Sequence, residues 1–178
     1  MSIKNLIIYH PNGQKKSEGD WDGYEPVGDH RSWHENGNKE SEVIELGDSI
    51  QSSTHWYENG QKKSTGLISQ IHYLETGLWT YWYDNGNKQS EGRHKAEDGR
   101  DGEWRFWNSS GQLICCGIHK GWRGNGLWEF WDNDGNKVHE RKYTDLELLE
   151  VWKNLREDGC SDELVTTYKS HIFNKNLL

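Results

Sequence analysis

With 178 residues the chain has the length of one domain, but only 31% of it is hydrophobic and 20 residues are glycine, which excludes a thick aliphatic core. Eleven Trp, eight Tyr and three Phe exclude a disordered tail and assign the burying to rings. The net charge of −8 disfavours nucleic acid and anionic lipid as partners, since both recruit proteins through Lys and Arg.

The N-terminal stretch MSIKNLIIYHPNG has no long apolar run and no small-residue cleavage site, and nothing later approaches the roughly 18 apolar residues of a membrane span. A cytoplasmic location is expected. From Tyr9 onward one unit recurs: YHPNGQKKSEG, WHENGNKESEV, WYENGQKKSTG, WYDNGNKQSEG, WNSSGQLICCG and WDNDGNKVHER. The glycines of these copies are Gly13, Gly37, Gly60, Gly86, Gly111 and Gly135. A period near 24 residues marks a repeat architecture.

Asn-Gly between two polar-aromatic runs predicts a β-hairpin with a two-residue type I′ turn, because both residues tolerate positive φ. Centred on Asn85 and Gly86, that turn pairs Trp79 with Gly92 and Tyr81 with Ser90, and the next copy pairs Trp104 with Gly117 and Phe106 with Cys115. Large rings thus face small partners and lie over them, stacking from hairpin to hairpin. Strand alternation puts Trp79 and Tyr81 on one face and Trp82 on the other. Trp33, Trp56, Trp82, Trp107 and Trp131 form a second column, either packed ring on ring or serving as a binding groove.

The first three copies lack the Gly-x-Trp-x-aromatic-Trp lead-in, and their connectors are acidic, which makes them the places for specialised loops. Residues 17–60 hold eleven acids against Arg31 and Lys39, a net −9. After the sixth copy, Thr144 and Glu147 stand at capping-box spacing, and Leu148, Leu149, Trp152 and Leu155 share a side before Gly159. A second helix is expected from Ser161. The expected architecture is therefore mainly β: an elongated single-layer array of about six antiparallel hairpins over residues 1–143, with a C-terminal helical cap over 144–178.

Chemistry is sparse. His94 and His119 fall at an aromatic position of the repeat, and His30 and His34 would stand about 13 Å apart on a strand, too far to share a metal. Cys115, Cys116 and Cys160 are odd in number and suit free thiols better than a disulfide scaffold. No nucleophile set, phosphate loop or Cys-x-x-Cys appears, so no catalytic residue, metal or cofactor is nominated and the chain is not expected to be an enzyme.

The repeated W-Y-[ED]-N-G-[QN]-K-[KQ]-S-x-G unit resembles the MORN-repeat variant of the YwqK-family antitoxin and immunity proteins. The resemblance implies a curved row of β-hairpins and a function in binding rather than catalysis. An antitoxin or immunity protein of this kind would neutralise a basic toxin or effector domain, with Asp20, Asp22, Glu40, Glu42, Glu45 and Asp48 and the indoles of Trp33, Trp56 and Trp82 as its contact residues. The alternative is a structural scaffold or membrane-associated repeat module, for which Lys15, Lys16, Lys62 and Lys63 offer only a scattered basic strip.

Overall fold

The computed structural model describes residues 4–23, 26–121 and 123–143, and the expected helical cap over 144–178 lies outside these residues. Twelve strands follow one another: β1 (Lys4–Tyr9), β2 (Lys15–Trp21), β3 (Pro26–Trp33), β4 (Lys39–Gly47), β5 (Ile50–Trp56), β6 (Lys62–Ser69), β7 (Leu74–Trp82), β8 (Lys88–Lys95), β9 (Gly99–Trp107), β10 (Leu113–Lys120), β11 (Arg123–Trp131) and β12 (Lys137–Tyr143). Each pairs antiparallel with its neighbour in sequence, giving one open sheet in the order β1 to β12. The described residues contain no helix. One edge of the sheet carries the six glycine turns; the other carries the connectors between hairpins.

The turns differ from the expected type. Asn85 keeps negative φ, and only Gly86, at +87°, enters the left-handed region. The Gly86 N–H donates to the Tyr83 carbonyl at 3.0 Å, and the Tyr83 N–H to the Asn87 carbonyl at 2.9 Å. This is a three-residue loop, a type I turn closed by a left-handed glycine, rather than a two-residue type I′ turn. The positive φ pair that a type I′ turn requires occurs instead at Asp48 and Ser49, at 51° and 59°, between β4 and β5.

The predicted register nonetheless holds: Trp79 faces Gly92, Tyr81 faces Ser90, Trp104 faces Gly117 and Phe106 faces Cys115. The longer loop shifts the pairing by one residue, and a bulge at Gln89 shifts it back, since Trp82 faces Lys88 but Tyr81 faces Ser90. The same repeat position is skipped in every hairpin, at Lys16, Glu40, Lys63, Gln89, Ile114 and Val138.

Asparagine serves a purpose other than positive φ. The Asn85 side-chain oxygen accepts the Asn87 N–H at 3.0 Å, while its amide donates to the Ser109 carbonyl of the next turn at 2.7 Å. Asn12, Asn36 and Asn59 repeat both bonds, reaching the carbonyls of Glu35, Glu58 and Asp84. Each of the first four turns is shaped by its own asparagine and stitched by it to the following turn, whereas Asn108 and Asp132 shape the last two.

The core is a row of rings on one face. Trp79, Tyr81, Trp104, Phe106, Trp128 and Phe130 stack successively, with centroids 5.7–6.4 Å apart. Trp104 is 0% exposed and Phe106 1%. The direction of stacking differs from expectation. Each indole leans back over the preceding hairpin rather than over its own partner strand: a Cβ at Gly66, Gly92 or Gly117 would stand 2.2, 2.3 or 2.1 Å from Trp79, Trp104 or Trp128. The indole N–H groups fix this lean by donating to the carbonyls of Leu67, Arg93 and Ile118. Within the first three hairpins the same positions hold Leu6 and Ile8, His30 and Ser32, and Ser53 and His55, so the ring row begins only at β7.

Candidate interaction surface

Cross-strand pairing assigns every strand residue to the ring face or to the opposite face. The opposite face carries the second tryptophan column, and its indoles are half-buried rather than open. The lysine that opens the second strand of one hairpin lies over the indole that closes the first strand of the next. Lys15 covers Trp33 at 4.9 Å, Lys39 covers Trp56 at 5.1 Å, Lys62 covers Trp82 at 5.5 Å and Lys88 covers Trp107 at 5.0 Å. Such contacts contribute roughly 0.5–1 kcal/mol each at exposed sites. Position 113 holds leucine, so Trp131 has no lysine from that place.

Carboxylates three residues on hold three of these ammonium groups in place, while Lys62 has Thr65 at that position. Lys15 pairs with Glu18 at 2.6 Å, Lys39 with Glu42 at 3.0 Å and Lys88 with Glu91 at 2.8 Å. Arg31 adds a second bond to Glu42 at 2.7 Å, and hydrogen bonds from Arg31 and then Lys39 hold the Glu42 carboxyl below the ordinary range. On this face Glu18 and Glu42 of the N-terminal half are neutralised by bases.

The six acids expected to form one contact surface do not share a face. Asp20 and Glu42 lie on the lysine–tryptophan face, Glu40 and Glu45 act on the ring face, and Asp22 and Asp48 lie at the connector edge. Glu40 accepts from the Ser32 hydroxyl at 2.9 Å, and Glu45 from Gln51 at 2.9 Å and Gln70 at 2.6 Å. Asp29 beside them accepts the Glu45 N–H at 2.9 Å. Glu40 and Glu45 thus accept from neutral donors, in contrast to Glu18 and Glu42 on the other face. Asp20 on that face accepts from the Asn5 amide, and Asp29 shares the field of Arg31. Trp33, Trp56 and Trp82 are set together in a column, roofed by lysine.

A further cluster sits where the ring row begins. The His94 imidazole lies 3.3 Å from the Glu75 carboxylate and 3.4 Å from the Tyr81 hydroxyl, and Arg100 spreads over the Trp104 ring at 4.3 Å. Burial raises the Tyr81 phenol far above its usual range, with the Glu75 charge adding to it, so it stays protonated. Burial lowers the Arg100 guanidinium to about 10, against the opposing pull of Tyr81 and Glu75. Sequence reasoning misses Glu75 and Arg100 because they precede the repeated unit; the positions of His94 and Tyr81 within it are the available signal.

His94 and His119 occupy ring positions as expected, edge-on to Trp104 at 4.9 Å and to Trp128 at 5.0 Å. His30 and His34 each bond a backbone carbonyl, of Gly28 and of Trp56. Cys115 and Cys116 are free thiols facing opposite ways, and burial beside Glu129 pushes the Cys116 thiol up to about 11; Cys160 lies outside the described residues.

The buried histidines give a pH dependence. Burial, with Arg100 and His94 close by, holds His119 well below an ordinary imidazole, and burial followed by Lys63 lowers His55. The unfolded chain takes up protons on both rings below about pH 6.5, and the folded chain resists doing so. Their contribution is complete above that pH and is lost as pH falls through the lowered native values. Thermal melts from pH 7 to pH 5 should show falling stability, with each histidine adding a slope of up to about 1.4 kcal/mol per pH unit. His119→Phe should flatten that slope, and a slope unchanged by the substitution would refute the assignment.

The fold and its surfaces define a non-globular repeat module: one sheet of hairpins, each stitched to the next by turn asparagines and indoles. Residues 75–96, spanning β7 and β8, match the MORN repeat variant family, so this hairpin is a MORN-type repeat. No curated protein matches the chain. Among solved structures, that of the TarM G117R mutant from S. aureus in complex with fondaparinux, α-GlcNAc-glycerol and UDP is similar over 64% of this chain, with 8% identity and a TM-score of 0.35. The matched part is 19% of that protein's length.

Proposed function

We propose that the chain is a non-catalytic protein-binding module of the antitoxin or immunity type, which neutralises a basic partner domain by covering it. In this reading all six hairpins are MORN-type repeats, and the segment 144–178 caps the last rung as helices. The observation that carries the proposal is the asymmetry of charge compensation. On the lysine–tryptophan face Glu18 and Glu42 are held by Lys15, Arg31 and Lys39, whereas Glu40 and Glu45 on the ring face of the same sheet accept hydrogen bonds from the neutral Ser32, Gln51 and Gln70. Uncompensated carboxylates steer a cationic surface toward themselves and are screened by salt.

On the ring face of β3 and β5, Ser32 stands where β7 has Tyr81 and Ser53 where β7 has Trp79, with His30 and His55 as the rings beside them, so the large stacked rings are missing next to Glu40 and Glu45. The scaffold or membrane-associated reading has less support, because Lys15 is tied to Glu18 and Lys63 lies over Tyr57.

The test is stopped-flow association with a toxin domain encoded beside the chain, at two ionic strengths. Reversing Glu40 and Glu45 to lysine should slow association by on the order of tenfold, and the same reversal at Asp20 and Asp22 should slow it far less. The wild-type rate should itself fall as salt rises. A salt-insensitive rate, unaffected by either pair, would remove the acidic ring face from the binding surface.

A further inference from the structure

The two ends of the sheet differ in a way that bears on assembly. β12 carries Lys137, Glu140, Arg141 and Lys142, the charged composition that keeps an edge strand from pairing with another chain. β1 reads Lys-Asn-Leu-Ile-Ile-Tyr, with no charge after Lys4, and Leu6, Ile7 and Tyr9 are 41%, 42% and 59% exposed. Among the described residues β1 pairs with β2 alone.

The first turn fixes which backbone groups of β1 are used. His10 directs both of its groups inward, its N–H donating to the Gln14 carbonyl at 2.8 Å and its carbonyl accepting the Gly13 N–H at 2.9 Å. Antiparallel alternation then turns Ile8 and Leu6 toward β2, and leaves the N–H and C=O groups of Asn5, Ile7 and Tyr9 pointing outward. The bulge of this hairpin lies on β2, at Lys16, and leaves the phase along β1 intact.

We propose that β1 pairs antiparallel with β1 of a second copy of the chain, about a two-fold axis through Ile7, to form one continuous sheet. In that register Ile7 stands opposite Ile7 of the second copy, and Asn5 opposite Tyr9. Every outward-pointing residue meets an outward-pointing residue, so the N–H and C=O groups of all three are satisfied. A slip of one residue sets outward groups against inward ones, and a slip of two carries Asn5 or Tyr9 past the end of the strand. The side chains agree with the axis: Leu6 meets Ile8 on the ring face and Ile7 meets Ile7 on the other, aliphatic pairs of the kind that stabilise neighbouring strands. A strand symmetric in apolar character about its midpoint is suited to an isologous contact with itself.

Sedimentation velocity of the full chain over a concentration series should show a species of twice 20.9 kDa growing in with concentration. Ile7→Lys places two ammonium groups across the axis and should hold the chain monomeric throughout, with unchanged circular dichroism. Ile7→Pro removes an N–H that β2 does not use and should do the same, which guards against a folding defect in the lysine variant. Val138→Lys, on β12, should leave the dimer in place. Amide exchange in the concentrated wild type should protect Asn5, Ile7 and Tyr9 as well as Leu6 and Ile8, and in Ile7→Lys the first three should exchange about tenfold faster or more. A wild type that stays monomeric at every concentration, or a dimer that survives both substitutions at Ile7, would overturn the proposal. Protection of the Asn5, Ile7 and Tyr9 amides in a monomer would overturn it too, since another segment of the same chain would then cover the edge.

Discussion

Gly92→Ala is expected to destabilise the protein by about 3 kcal/mol or more, an effect large for a single methyl group. The added Cβ would stand 2.3 Å from the Trp104 ring, a separation no contact tolerates. The obstacle is a rigid indole, held by stacks to Tyr81 and Phe106, by its N–H bond to the Arg93 carbonyl and by Arg100 above it. Relief requires the ring to lift and give these up together. Trp104→Ala by itself should cost about 3–5 kcal/mol, as deletion of a fully buried indole does. The discriminating measurement is the double variant. Once the ring is gone, alanine at position 92 meets nothing and should cost little, or even stabilise by up to about 1 kcal/mol by restricting the unfolded chain. Denaturant unfolding of the four proteins should therefore give a coupling of about 3 kcal/mol or more. Simple additivity would mean that the ring does not lie over this glycine.

The second large effect is expected at the turns. Gly86→Val forces a β-branched residue to a φ of +87° and should cost on the order of 1–3 kcal/mol. That result alone does not separate the two turn types, because both need a left-handed residue at 86. Asn85→Gly does. In a type I′ turn glycine at the first central position is well tolerated. In the loop observed, Asn85 has ordinary negative φ, and its side chain shapes its own turn through Asn87 and holds the next through Ser109. Its loss should then cost about 1–2 kcal/mol, one net hydrogen bond or two. A thermal melt of Asn85→Gly that matches the wild type would restore the type I′ assignment.

Part of the candidate surface is legible in the sequence, and the remainder is not, for reasons visible at particular residues. The column of Trp33, Trp56 and Trp82 follows from strand parity, because it depends on nothing beyond alternation along one strand. The lysine above each indole comes from the neighbouring hairpin, so it depends on how hairpins are set beside one another. Likewise the acids between Asp20 and Asp48 read as a single acidic segment, yet Glu40 and Glu42 part to opposite faces, and only one of them meets Arg31. Which carboxylate is compensated is a property of cross-strand neighbours, and composition does not carry it.

Local physics accounts for what the sequence determines by itself. A left-handed position recurring every 24 residues or so, between runs that alternate ring and small side chain, dictates antiparallel hairpins in chain order and the pairing of Trp79 with Gly92. That pairing survives an incorrect turn type because a loop one residue longer and a bulge one residue later cancel. Only the tertiary structure decides which way the rings lie. In the flat sequence pattern Trp104 has glycine available on either side, at Gly92 and Gly117, and both accept an indole equally well. The choice falls to Gly92 because a carbonyl, that of Arg93, is within reach of the indole N–H on that side, and because the ring then stacks between Tyr81 and Phe106. Burying an indole leaves one polar group to satisfy, and the position of its acceptor in the folded sheet turns a set of separate hairpins into one continuous array.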